Sequence, residues 1–468
     1  MKVKRSRLRA VQQWLSPGMR IKRWLLVLGV GALVAGVGFG YFLQLLQRSG
    51  VIPATLLSWL TLSFLPPFWR VVILLLLGGG VIVLALTRLG KNLVEPFRRP
   101  GDSIAASLYF HRRRSRGPHV VAIGGGTGLP ALLRGLKEYT SNITAIITVA
   151  DDGGSSGRLR EAFGMLPPGD FRNNIAALSR DEALMTQVLQ YRFSSGIVDR
   201  VGAGKKDSDE RPPNGMQPEP GANSRRVSEL RGHAFGNLLI AALAGVTGSF
   251  DEALLAAERV LAMQGRVLPS TLELVTLVAD VEHPADGGSV RRVAGESAIP
   301  KAGGRIRRIY LEPVAARAYP PAVQAILQAE LVVIGPGSLY TSIMPNLLVP
   351  DVANALRHTR APVAYICNLA TQPGETDGFT LADHVNAILD NVGGDCIDYV
   401  IANDNLAVPS DAPGNTILVQ PVWPPQLQAK LRLLTADLVD EERPWRHDSV
   451  KLTRAVRQVI SGAERGRS

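Results

Sequence analysis

The chain has 468 residues, 46% of them apolar, a net charge of +12 and two cysteines, Cys367 and Cys396. That length accommodates a large α/β domain with extra material. So few thiols exclude a disulfide framework, the lack of a His/Cys cluster beside them excludes a zinc site, and a reducing compartment is expected. Residues 1–116 hold eighteen Lys/Arg against Glu95 and Asp102, a net of +16, which leaves −4 for the remainder. The basic pI therefore points to a membrane surface and not to nucleic acid.

The front end reads as a membrane hairpin. Residues 24–47 contain no charge over 24 positions, about 36 Å of helix at about 1.5 Å per residue, against a hydrocarbon core of about 30 Å. Residues 71–88 give a second, shorter run that spans with slight bilayer thinning. Between them, residues 51–69 are apolar but hold Pro53, Pro66, Pro67 and two Trp, as an interfacial segment would. Lys and Arg crowd residues 2–23 and 88–116, while only Arg48 and Arg70 lie between the runs. The positive-inside rule then predicts a multi-pass protein of the plasma membrane with its large domain in the cytoplasm, its basic flanks also available to anionic lipid. The expected map is a basic amino terminus (1–23), a hairpin (24–90), a basic linker (91–117), a main domain (118–440), and a carboxyl-terminal helix and tail (441–468).

From residue 118 the pattern is that of a Rossmann-like, doubly wound, mostly parallel α/β sheet. A strand over 119–123 runs into Gly-Gly-Gly-Thr-Gly at 124–128 and then an amphipathic helix. Such a turn admits positive φ and presents helix N–H groups to an anion, although α/β folds also use glycine turns merely to pack a helix on a strand. A second strand over 143–149 ends in Asp-Asp-Gly-Gly-Ser-Ser-Gly. Helical spacing follows around 171–178, 181–191, 237–246 and 251–263, the last with Ser249 as N-cap. Residues 202–231 are too polar to offset the entropy of ordering them and are expected to be a disordered insertion. Strands over 271–281 and 305–311 suit a hairpin or small excursion from the main sheet. The strand 331–334 then stops at Gly-Pro-Gly-Ser-Leu-Tyr-Thr-Ser, and the strand 364–367 at a loop reaching Gly378. In an open parallel sheet these four loops can meet at one edge.

The chemistry such loops carry is phosphate binding. Gly125, Thr127 and Gly128 offer amides and a hydroxyl, without the Lys of a P-loop. Asp151 and Asp152 are candidates for a ribose hydroxyl or a Mg²⁺ bridging a diphosphate, the competing reading being a capped turn. Residues 169–174 begin a helix with polar groups in its first turn. Asn237 has the reach for a ligand amide, phosphate or base edge, while His233 reads first as a structural histidine. Gly337 and Ser338 belong to the second phosphate-facing loop, and Tyr340 is either a base-stacking ring or core. No nucleophile elbow, metal-ligand triplet or Cys/His pair is present, which leaves binding or phosphoryl-type transfer.

Six segments carry a resemblance: 124–128, 151–157, Pro-Pro-Gly-Asp-Phe-Arg-Asn at 167–173, Gly-His-Ala-Phe-Gly-Asn at 232–237, 335–342 and Thr-Gln-Pro-Gly-Glu-Thr-Asp-Gly at 371–378. In this order they resemble the YvcK-type gluconeogenesis factors of the YvcK/CofD-like family, in the superfamily of the 2-phospho-L-lactate transferase of coenzyme F420 synthesis. The resemblance implies a binder of UDP-sugars of the UDP-N-acetylglucosamine type that regulates cell shape and envelope synthesis during gluconeogenic growth, without established turnover. Envelope-synthesis proteins, and a second copy of the chain, are then candidate partners. Carried over, the nucleotide-sugar site comprises Gly125, Thr127, Gly128, Asp151, Asn174, Asn237, Gly337, Ser338 and Tyr340, with Mg²⁺ at Asp151 or Asp152 left open. The alternative is a Mg²⁺-dependent transfer of a phospho-acid from a nucleotide donor. The hairpin and the 202–231 insertion are additions to the compact form of the family.

Overall fold

The computed structural model describes residues 21–49, 62, 64–94, 114–193, 230–283, 287–394, 396–406 and 417–465. They fall into two compact units, Met1–Arg113 and Arg114–Ser468. The first contains two helices of 28 residues, Ile21–Arg48 and Pro67–Val94. Among the described residues of this unit, Gly29–Leu46 is the stretch long and apolar enough to cross a bilayer by composition, with Pro67–Ile82 a shorter apolar helix. This is one candidate span where the sequence suggested two. Gly78, Gly79 and Gly80 lie within the second helix, as do Arg88 and Lys91 near its carboxyl end. Both basic flanks lie largely outside the described residues.

The second unit is built on a seven-stranded parallel sheet in the order β10-β9-β8-β7-β1-β2-β3. The strands are β1 (Val120–Gly124), β2 (Ile143–Ile147), β3 (Arg266–Pro269), β7 (Leu331–Ile334), β8 (Val363–Ile366), β9 (Tyr399–Asn403) and β10 (Arg432–Ala436). Every residue of β1, β7 and β8 is buried, because helices must cover both faces of a parallel sheet; that is why these strands read as unbroken apolar runs. A separate antiparallel sheet of β4 (Thr276–His283), β5 (Ser289–Ala294) and β6 (Arg305–Glu312) is the excursion expected between 271 and 311, with one strand more than the sequence suggested. Strands β3, β5 and β10 are edge strands that carry arginine, so no apolar run announced them; β9, Tyr-Val-Ile-Ala-Asn, is an internal strand that the sequence pattern did not single out.

The chain winds from β1 outward to β2 and β3, then returns to the other side of β1 as β7 and continues through β8, β9 and β10. The winding direction thus reverses between β1 and β7, and a crevice opens at the carboxyl ends of strands at such a point. The helices match expectation closely. Ser249 accepts a hydrogen bond from the Glu252 N–H at 3.4 Å as the N-cap of Phe250–Val260, and Asp181 caps Glu182–Gln190. Of the 202–231 insertion, residues 202–229 lie outside the described residues. Cys367 and Cys396 are buried free thiols.

The carboxyl-terminal helix Ser449–Arg465 docks on Leu129–Tyr139, the helix that follows the glycine turn. The contact is close at Gly135, where a Cβ would stand 1.9 Å from Thr453 Oγ1 and 2.2 Å from the Ser449 carbonyl oxygen. Gly135→Ala is therefore expected to destabilise the fold by about 1–3 kcal/mol despite alanine's higher helix propensity, as overpacking does. A urea midpoint equal to or above wild type would count against this packing.

Candidate functional site

The β1 turn is shaped by two glycines. Gly126 has φ +61°, and a Cβ there would lie 2.8 Å from Ser342 Oγ. At Gly128 a Cβ would lie 2.6 Å from the Pro336 carbonyl oxygen. These distances mean that the turn after β1 rests directly on the turn after β7. The pair is tied by buried Asn346, whose Nδ2 donates to the Gly124 carbonyl at 3.0 Å and the Ser342 carbonyl at 2.9 Å. The loop after β8 joins them: Gln372 Nε2 donates to Ser338 Oγ at 2.7 Å, and Thr341 Oγ1 donates to Glu375 at 3.1 Å. A fourth segment closes the edge, since Gly374 leaves room for no more than hydrogen against the Pro300 carbonyl.

Gly125, Thr127, Gly128, Gly337 and Ser338 are thus brought together, with Thr127 exposed. Asp151 reaches the same edge, one carboxylate oxygen accepting the Gly153 N–H at 2.9 Å and the other facing Gly169. Asp152 accepts the Ser297 N–H at 2.9 Å and so anchors the segment after β5. Asp151 thus caps its own turn, as the competing reading has it for one of the two aspartates, whereas Asp152 bonds a segment 145 positions away. Among the described residues no group of three His, Cys, Asp or Glu side chains could hold a metal ion.

Asn174 is fully buried on Gly169–Leu178, donating through Nδ2 to the Asp170 carbonyl at 2.8 Å; its own side-chain carbonyl oxygen has no protein partner. Asn237 donates to Ser155 Oγ at 3.0 Å and likewise has a buried carbonyl oxygen without a partner. Each is an acceptor suited to a ligand hydroxyl or N–H. Tyr340 is not a stacking platform: it is 4% exposed and packs edge-to-face on Phe379 at 6.3 Å, because the turn of π-helix over Leu339–Ile343 points it into the core. His233 Nδ1 lies 3.0 Å from Ser155 Oγ, and burial first, then Arg158 and Arg192, hold its pKa below the usual value.

Three carboxyl groups in the crevice lie outside the set of site residues expected from the sequence. Asp170 accepts the Gly126 N–H at 2.7 Å, so the amide expected to face phosphate already holds a protein carboxyl. Burial, then Asp151, raise Asp170 to about 7, against the opposing pull of the Gly126 hydrogen bond and Arg172. Burial followed by Asp151, Asp170, Asp152 and Glu375 pushes Glu296 up to about 8. Glu375, bonded by the Tyr340 and Thr341 N–H groups, is raised by burial to about 6. Asp170 was legible in its motif as part of a polar helix start. Glu296 was not, since only the β4–β6 excursion carries it to this edge.

This is a Rossmann-like α/β protein whose strand-end loops build one polar crevice at the β1/β7 reversal. Residues 120–417 match the family model described as 2-phospho-L-lactate transferase CofD. A Nostoc sp. protein named "Putative gluconeogenesis factor" is 46% identical over 385 residues, covering 80% of this chain and 75% of its own. The Bacillus subtilis "Gluconeogenesis factor" is 43% identical over 286 residues, 61% of this chain and 78% of its own. The crystal structure of a UPF0052 family member from Bacillus halodurans superposes with a TM-score of 0.60 at 37% identity, covering 73% of this chain and 99% of that one. The chain belongs to the CofD family, among the relatives named gluconeogenesis factors.

The raised carboxyls give the fold a pH signature. The folded state holds protons on Asp170 and Glu296 that the unfolded chain releases near pH 4. Their contribution to stability is therefore unchanged below that pH and is lost progressively as pH rises through about 7 and 8. Asp170→Asn should make the fall in thermal midpoint between pH 5 and 8 shallower than in wild type. An unchanged slope would remove Asp170 as a source of the effect.

Proposed function

We propose that the crevice binds a UDP-sugar, of the UDP-N-acetylglucosamine type, and that the chain is a membrane-anchored regulator of cell shape and envelope synthesis during gluconeogenic growth. The observation that carries the binding reading is the contact of the two glycine turns at the β1/β7 reversal, the place where an open α/β sheet receives nucleotides. The partnerless buried carbonyl oxygens of Asn174 and Asn237 support it, since uridine and sugar both supply donors. Gly125, Thr127, Gly128, Gly337 and Ser338 are assigned to the diphosphate edge, and Asp151 to the ribose side. Any Mg²⁺ would arrive with the diphosphate, because the described carboxylates form no ligand set of their own. The helices Ile21–Arg48 and Pro67–Val94 are assigned to anchoring, with the large unit in the cytoplasm.

A transferase reading is favoured by one finding, the match over residues 120–417 to a family described by such an enzyme. It requires an acceptor to be modified at the expense of a nucleotide donor; the regulator requires saturable binding without product. Incubation with a nucleotide-activated phospho-acid and a deazaflavin acceptor separates the two.

UDP-N-acetylglucosamine should raise the thermal midpoint of the protein in a saturable manner. Gly128→Ala should abolish that shift, since its Cβ would collide with the Pro336 carbonyl across the crevice. A flat response of wild type to every UDP-sugar would overturn the reading. Anchoring predicts recovery in the membrane fraction, resistant to high salt and alkaline carbonate and released by detergent; extraction by carbonate alone would refute it.

A further inference from the structure

Beside the crevice, three guanidinium groups gather where the chain re-enters the described residues at 230. Arg158 Nη2 donates to the Arg231 carbonyl at 3.2 Å, and Arg192 Nη1 to the Gly232 carbonyl at 2.8 Å. A Cβ at Gly232 would stand 3.4 Å from Arg158 Nη2, so the two side chains flank one residue. Among the described residues neither Arg158 nor Arg192 forms an ion pair. Arg172 is 9% exposed, with its Cγ against Gly236; its Nη2 donates to Asn173 at 3.1 Å, while its Nε is buried without a partner. Burial first, and then the charge of Arg192, lower the Arg172 pKa, whereas Asp170 and Asp151 act in the opposite sense.

The same neighbourhood contains the amino end of Gly154–Phe163. Its N-cap, Gly153, supplies no side-chain cap, and its first turn carries the buried hydroxyls of Ser155 and Ser156. Ser155 is joined to His233, which follows Gly232 directly. A helix start, a buried guanidinium with an unused donor and two exposed guanidiniums held on main-chain carbonyls thus face one small region. Three like charges so placed repel one another, and a phosphoryl dianion would reverse the sign of that interaction while accepting forked hydrogen bonds. The glycine turn is less receptive, since Asp170 already occupies the Gly126 amide.

We propose that Arg158, Arg172 and Arg192, with the amino end of Gly154–Phe163, form a phosphoryl-binding site that takes the diphosphate end of the crevice ligand. The assignment rests on the nucleotide-diphosphate reading above and specifies which cations receive the phosphates. It distinguishes the protein from a P-loop fold: the glycine turns line the diphosphate edge and bring the two loops together, while charge neutralisation comes from arginines on the side of the crevice.

The test is calorimetric titration of the full-length protein in detergent with inorganic pyrophosphate and, separately, with UDP. The double variant Arg158→Ala/Arg192→Ala removes two exposed side chains with one main-chain hydrogen bond each, so it should remain folded with a thermal midpoint within a few degrees of wild type. Its affinity for both probes should drop at least about tenfold, the scale of losing one charge-assisted hydrogen bond, and the salt dependence of binding should weaken. Pyrophosphate and UDP binding equal to wild type would overturn the proposal. If UDP binding survives the double variant but is lost in Gly128→Ala, the nucleotide reading stands and the arginine site falls. If wild type takes pyrophosphate in an arginine-dependent manner but no uridine nucleotide, the arginine site stands and the nucleotide reading falls. If wild type binds neither probe, both fall.

Discussion

The arrangement of the crevice depends on one close approach, that of the turn after β1 to the turn after β7. Gly126 and Gly128 permit it, and the Asn346 amide holds it through two main-chain carbonyls. An asparagine is suited to this task because its two N–H donors can satisfy both carbonyls from a dry interior, where either left alone would be costly. From this junction the other loops take their places: Ser338 receives Gln372, Thr341 receives Glu375, and Gly374 abuts Pro300. Separate segments of the second unit thereby become one rim.

The rim has an unusual balance of charge. Burial raises Asp151, Asp170, Glu296 and Glu375, repulsion from neighbouring carboxylates adds to it in the first three, and Arg172 lies within their field. A bare diphosphate entering among ionised carboxylates would be repelled. Protonated carboxyls and nearby guanidiniums relieve that repulsion, and carboxyls held near neutral pH make the crevice responsive to its ionic surroundings. The small antiparallel sheet contributes to this balance through Glu296 and through Ser297, whose amide binds Asp152.

Much of the sheet was legible because parallel strands buried on both faces must be apolar throughout. β1, β2, β7 and β8 announced themselves in this way, each followed by a loop rich in Gly, Ser or Asp. β3 and β10 did not, since each is an edge strand that opens on an exposed arginine, and β9, an internal Tyr-Val-Ile-Ala-Asn, was not set apart by the loops around it. At the site, the glycines were read as places where the backbone approaches an anion, whereas the contacts they make in the fold are with Ser342 and Pro336 of the loop after β7, partners invisible in the sequence. Tyr340 shows the limit of reading residue types, since an aromatic in a ligand-facing loop turned out to fill the core beside Phe379. Glu296 shows the converse, an acid outside every motif, and Glu375, though inside the 371–378 segment, owes its burial beside Thr341 to loop packing.

The amino-acid sequence by itself determined the alternation of strand, polar loop and helix, the family, and the asymmetry between a basic, apolar front end and a mildly acidic α/β unit. These follow from local periodicity, glycine conformational freedom and charge, which act over a few residues. Only the tertiary structure decided which amides face solvent and which are taken by Asp170 and Glu375, where the winding direction reverses, and that Arg158, Arg172 and Arg192 converge. Those outcomes depend on contacts between segments tens to more than two hundred positions apart, and no local pattern encodes which distant carboxyl or guanidinium will be carried to a given loop.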